Sequence, residues 1–216
     1  MDNKPVIAAL FDFDGVIMDT ESQYTVFWDE QGRNYLGEEN FGRSIKGQTL
    51  AQIFDKHFSG MEHVQEQIRT GLTAFERQMS YEYIPGAREF LEELRSRGVR
   101  IALVTSSDTV KMENVYRVHP GMAALFDEIL TAEQFKRSKP DPDCFLLGMK
   151  LFHSDPRHTY VFEDSFHGLQ AGRSSGAVVI GLATTNSRES ITGKADAVID
   201  DFTVMTYERM LSIQKK

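Results

Sequence analysis

The stretch Val6-Ile7-Ala8-Ala9-Leu10-Phe11-Asp12-Phe13-Asp14-Gly15-Val16 decides how the rest of the chain is read. Its first six residues form an unbroken apolar run, the pattern of a strand buried on both faces, as in a parallel sheet. Two carboxylates and a glycine follow at once, where such a strand would end. Comparable runs recur at 99–104, 160–162 and Val178–Leu182, with weaker ones at Glu128–Leu130 and Ala197–Ile199. Helical patterns lie between them, at 87–97 with Gly98 as a stop, at Asp143–Phe152 and at 203–213. Strands and helices alternating in this way predict a parallel sheet with helices on both faces.

One stretch breaks the alternation. From about Met18 to Tyr83 no strand run occurs, whereas 20–31, 49–58 and 63–79 read as helices, the first with Tyr24, Phe27 and Trp28 on one face. Pro85-Gly86 then returns the chain to the sheet. The simplest organisation is an α/β core of residues 1–17 and 86–216 with a helical insert of residues 18–85.

Composition excludes several function classes. The chain has 216 residues, enough to bury a substantial core. A net charge of -8 disfavours nucleic acid or an anionic membrane as the main partner, although a local positive pocket for a small phosphate ester remains compatible with it. The lone Cys144, in an apolar run, rules out an internal disulfide and reads as a core residue. Six scattered histidines show no zinc-ligand spacing. The six apolar residues at 6–11 are too few for a signal peptide, and no membrane span follows, so a cytoplasmic location is expected.

Parallel sheets place ligands at the carboxyl ends of their strands. There the sequence offers Asp12 and Asp14, then Thr105-Ser106-Ser107, then Lys139-Pro140-Asp141-Pro142 on a loop, then Glu163-Asp164-Ser165. Each piece has an ordinary reading, as a turn, a helix cap or a solvated lysine. Together they make an acid-rich site with one fixed cation, suited to a hard metal ion and a phosphate.

The ordered set resembles the haloacid dehalogenase-like superfamily of hydrolases and phosphotransferases, over nearly the whole chain. Asp12-Phe13-Asp14-Gly15-Val16 is similar to its first motif and Thr105, ending Ile101-Ala102-Leu103-Val104, to its second. Lys139-Pro140-Asp141-Pro142 is similar to the third and Glu163-Asp164 to the fourth. The helical insert and Gly168-Leu169-Gln170-Ala171-Gly172 resemble the branch with β-phosphoglucomutase and sugar-phosphate phosphatases.

The resemblance implies a Rossmann-like fold in which the insert is a cap over the site. It implies that Asp12 is the nucleophile, forming an aspartyl-phosphate, and that Asp14 is the acid and base. Two unit charges about 4 Å apart repel by ~4 kcal/mol at an effective dielectric near 20, so a carboxylate approaching a phosphate needs compensation. The implied remedies are Mg²⁺, held by Asp12, the backbone oxygen of Asp14, Asp164 and, directly or through water, Glu163, together with Lys139. Thr105, Ser106 and Ser107 are expected at the phosphate. The cap loop Lys46-Gly47-Gln48-Thr49, with Arg43 nearby, is expected to reach the substrate. Mutases of this branch carry a histidine and an arginine where this chain has Tyr24 and Leu50. The expected function is therefore an Mg²⁺-dependent phosphatase acting on a small phosphorylated metabolite such as a sugar phosphate. A phosphomutase and a non-catalytic phosphate-binding protein are the alternatives. Neither nucleic acid nor membrane is an expected partner, and a monomer or weak homo-oligomer is expected.

Overall fold

In the computed structural model, residues 5–46 and 48–215 are described. Six parallel strands form one sheet in the order β3-β2-β1-β4-β5-β6. They are β1 (Ala8–Phe11), β2 (Arg100–Val104), β3 (Glu128–Leu130), β4 (Thr159–Glu163), β5 (Val178–Leu182) and β6 (Ala197–Ile199). All six coincide with the predicted runs. All four residues of β1 are buried, with Ala9 and Phe11 in the hydrophobic cluster on one face and Ala8 and Leu10 in that on the other. This two-sided burial is why the run lacks alternation.

Helices α1 (Glu21–Gln31), α2 (Phe41–Ser44), α3 (Leu50–His57) and α4 (Glu62–Glu76) lie between β1 and β2. They enclose a cluster of their own, including Trp28, Phe41, Phe54, Phe58 and Ile68. The chain leaves and re-enters the sheet region side by side: Met18 bridges Tyr83, Asp19 N–H donates to the Glu82 carbonyl at 2.8 Å, and Ile84 N–H to that of Ile17 at 2.9 Å. The remaining helices are α5 (Ala87–Ser96), α6 (Thr109–Val118), α7 (Asp143–Phe152), α8 (Phe166–Ser175), α9 (Arg188–Ile191) and α10 (Tyr207–Ser212).

Two helices depart from expectation. The predicted 203–213 helix begins only at Tyr207, because Thr206 caps it and Thr203 is held by Asp201. The predicted 63–79 helix ends at Glu76. Cys144 is fully buried, as its apolar neighbours imply. No described helix is long and apolar enough to cross a membrane.

Candidate active site

The sheet register assembles the centre. Phe11 at the end of β1 pairs with Phe162 on β4 and Leu103 on β2. Asp12 is therefore level with Glu163 on one side and Val104 on the other. The chain runs β1, β2, β3 outward one way and returns with β4 on the opposite side of β1. Asp12 and Glu163 thus stand where the strand order reverses, the usual place for a ligand crevice.

Lys139, on the loop before α7, fills the space between them. Its Nζ lies 2.5 Å from Asp12 Oδ1 and 2.6 Å from Glu163 Oε1, and donates to the Val104 carbonyl at 3.1 Å. The lysine is only 3% exposed. Burial alone would lower its ammonium, but Asp12 and Glu163 outweigh that and hold it well above the ordinary lysine range. It is a fixed cation.

Glu163 is fully buried and its second oxygen is also engaged. Oε2 accepts from Asp164 N–H at 3.0 Å, Ser165 N–H at 3.2 Å and Ser165 Oγ at 3.1 Å. Ser165 in turn caps α8 by accepting from Gly168 N–H at 3.0 Å. The ordinary capping reading of this segment is thus true of Ser165 and leaves the two carboxylates for other work.

Asp12, Glu163 and Asp164 bring carboxylate oxygens within 4.8 Å of one another. Asp164 Oδ2 is buried with no hydrogen-bond partner of good geometry among the described residues, although the nearby Thr185 hydroxyl opposes the rise of its carboxyl. Burial pushes the Asp12 carboxyl up to about 7, with Lys139 opposing and Glu163 and Asp14 adding to the rise. Asp164 is driven well above the carboxylate range by burial and by the charges of Glu163, Glu21 and Asp12. A buried acidic cluster that resists ionisation, with one orphaned oxygen, fits an oxygen-seeking divalent cation, and its donor set suits Mg²⁺ better than zinc. Gly15 makes the approach possible: its φ is +73°, and a Cβ there would lie 2.1 Å from Asp164 Oδ2.

The Asp14 carboxylate turns away from this cluster. It accepts from Thr20 Oγ1 at 2.5 Å and Ser107 Oγ at 3.0 Å, and both its oxygens lie 2.6 Å from Lys111 Nζ. Thr105 is fully buried at the end of β2, and its Oγ1 accepts from Ser107 N–H at 2.9 Å. Ser106 and Ser107 line a cavity of about 340 Å³ whose other wall is the helical insert, including Tyr24, Trp28, Lys46 and Glu76.

The cap-loop expectations divide. Gln48 and Thr49 line the cavity, although Thr49 is also the N-cap of α3 in a reciprocal pair with Gln52. Lys46, for which solvation is the ordinary reading, instead pairs with Glu21 at 3.3 Å. Gly47 lies outside the described residues. Sequence reasoning missed Thr20, Lys111 and Asn186, whose side-chain amide donates to the Asp164 carbonyl at 2.9 Å. Lys111 alone carried a signal: a lysine in the first turn of a helix opposes the helix dipole.

A lysine-bridged acidic centre at the switch point of a parallel α/β sheet suits a hard cation and a phosphate group. Residues 9–191 match the family model of the haloacid dehalogenase-like hydrolases, and the chain belongs to that family. It is 30% identical over 184 residues to the phosphorylated carbohydrates phosphatase of Thermotoga maritima, covering 78% of this chain and 81% of that protein. It is also 30% identical over 126 residues to the bifunctional riboflavin kinase/FMN phosphatase of Arabidopsis thaliana; the match covers 58% of this chain and only 33% of that longer protein. The fold matches β-phosphoglucomutase of Clostridium difficile with a TM-score of 0.77 at 24% identity, over 94% of each chain.

Proposed function

We propose that the chain is an Mg²⁺-dependent phosphatase that hydrolyses a small phosphate monoester of the sugar-phosphate class through an aspartyl-phosphate on Asp12. The observation that carries this reading is Lys139, buried between Asp12 and Glu163 beside the unpartnered oxygen of Asp164.

Asp12, Asp164 and the backbone oxygen of Asp14 would hold the metal, with Glu163 acting through Lys139 or an intervening water because its own oxygens are engaged. When bound, Mg²⁺ would supply positive charge against the phosphoryl oxygens. Asp12 attacks phosphorus; the bond to its Oδ forms as the ester P–O bond breaks, and Asp14 gives a proton to the departing oxygen. Water then attacks the aspartyl-phosphate, Asp14 takes its proton, and the acyl-phosphate P–O bond breaks to free phosphate and Asp12. Lys139 holds Asp12 in line and offsets the charge of the incoming phosphate, while Thr105, Ser106 and Ser107 receive its oxygens.

In this reading residues 18–85 are a cap and the cavity beneath it holds the rest of the substrate. Hydrolysis is favoured over phosphate transfer to a second position. A mutase must grip two phosphates, yet the cap side of this cavity presents Leu50, Glu21 and Glu76, and its cations are already engaged, Lys46 with Glu21 and Arg69 with Glu66 and the Phe54 ring. A relative that acts on phosphorylated carbohydrates supports the same substrate class.

The test is phosphate release from sugar phosphates, nucleotides and pyrophosphate with and without Mg²⁺, with products identified. Mg²⁺-dependent release from sugar phosphates is expected. An isomerised phosphate ester instead of free phosphate would establish a mutase, and binding without turnover would establish a non-catalytic protein.

A further inference from the structure

Lys111 occupies a place that local helix physics disfavours. Asp108 caps α6 by accepting from Lys111 N–H at 2.9 Å, which sets Lys111 in the first turn, where the helix dipole repels a cation. The lysine is also only 4% exposed, so its ammonium has been taken out of water. Both penalties are answered at one point: Nζ lies 2.6 Å from each oxygen of Asp14. The ammonium also lies over the Phe13 ring, with the centroid at 5.3 Å, and the Tyr24 ring at 4.5 Å, and it lines the cavity with the charges of Glu21 and Glu76 acting on it. Tyr24 belongs to α1, and its hydroxyl donates to Glu76 on α4 at 2.8 Å. Charge from Lys111 in turn opposes the upward push that burial exerts on the Glu76 carboxyl.

Asp14 thus receives hydrogen bonds from three side chains, Thr20, Ser107 and Lys111, and only Lys111 spans both of its oxygens. Without the lysine the other two donors would fix one oxygen each, and a half-buried carboxylate would lose its cation. A residue that breaks a local rule and gives its hydrogen bonds to a polar group of the site marks function more often than packing.

We infer that Lys111 is the positioning residue for Asp14, fixing both oxygens of its carboxylate on the side of the centre that faces the cavity, while resting on Tyr24 of the helical insert. This rests on the phosphatase reading, in which Asp14 protonates the leaving oxygen. Lys111 acts on the reaction through Asp14.

The test uses leaving groups of different need. An alkoxide requires a proton as it departs; p-nitrophenolate does not. The value of kcat/KM reports steps up to the departure of the leaving group, so later hydrolysis of the aspartyl-phosphate does not mask the difference. For Lys111→Met, kcat/KM on the best sugar phosphate is expected to fall roughly 100-fold, the lower end of what general acid catalysis contributes. On p-nitrophenyl phosphate it is expected to fall less than about fivefold, and Lys111→Arg should restore part of the sugar-phosphate rate. Equal losses on both substrates, or none, would overturn the role. If wild type turned over neither substrate, the phosphatase reading itself would fail. Should Lys111→Met not fold, Lys111→Gln serves in its place; if neither folds while Asp14→Asn does, the lysine serves the fold and not Asp14, and the inference falls.

Discussion

A Cβ added to Gly168 would lie 1.8 Å from the carboxyl of Glu163. The first turn of α8 therefore closes directly over the acid that anchors Lys139, and no larger residue fits there without moving one of them. The absent side chain at residue 168 is as much a part of the centre as the carboxylate at 163.

Gly168→Ala is accordingly expected to destabilise the chain by about 1–3 kcal/mol, the usual cost of overpacking. Displacing Glu163 also takes away one of the two acids that hold Lys139, so phosphate release should fall by more than about tenfold, a loss of some 1.4 kcal/mol in barrier terms. Denaturant melts and steady-state rates check both; wild-type stability would mean that α8 can shift without consequence.

Asp12→Asn preserves size and removes the proposed nucleophile. Turnover is expected to fall by at least roughly a thousandfold, while Lys139 keeps Glu163 as its partner and stability stays within about 1 kcal/mol. Activity within tenfold of wild type would remove Asp12 from the nucleophile's role.

Asp164 presents the orphaned oxygen. Asp164→Ala should raise the Mg²⁺ concentration for half-maximal activity by more than about tenfold, since loss of even an outer partner of a metal ligand has that effect. An unchanged Mg²⁺ titration would place the metal elsewhere.

The acidic cluster also makes a prediction about pH. The Asp12 carboxyl rises from 3.8 to about 7 on folding, and Asp164 moves in the same direction. Between about pH 4 and 7 the folded metal-free chain keeps protons that the unfolded chain has released, so stability falls as pH rises through that window. A cation that replaces those protons reverses the loss. Metal-free protein should melt at a higher temperature at pH 5 than at pH 8, and Mg²⁺ should stabilise it more at pH 8. A metal-free melting temperature that climbs between those values would contradict this picture of the centre.

Much of the fold was legible because burial leaves a plain mark. Each strand of a sheet covered on both faces must be apolar without alternation, and β1, β2, β4 and β5 carry that mark, while the short edge strands β3 and β6 are only partly buried and carry it weakly. Helix ends were less legible. Thr203, bonded to Asp201, delays α10 by a local contact that periodicity does not encode. The family motifs supplied Asp12, Asp14, Lys139, Glu163 and Asp164; the four carboxylates also stand at the ends of apolar runs, which gather at one edge of the sheet, whereas Lys139 lies on a loop.

Tertiary structure alone decided how those groups divide the work. Sequence order says that Asp12, Lys139 and Glu163 share an edge, but only the register of β1 against β4 makes one lysine reach both acids. Nor does the motif show Lys111 on Asp14 across 97 positions of chain, or Lys46 spent on Glu21. Backbone pattern follows from local burial and is written residue by residue. The pairing of buried charges depends on distances between remote segments, and those exist only once the chain has folded.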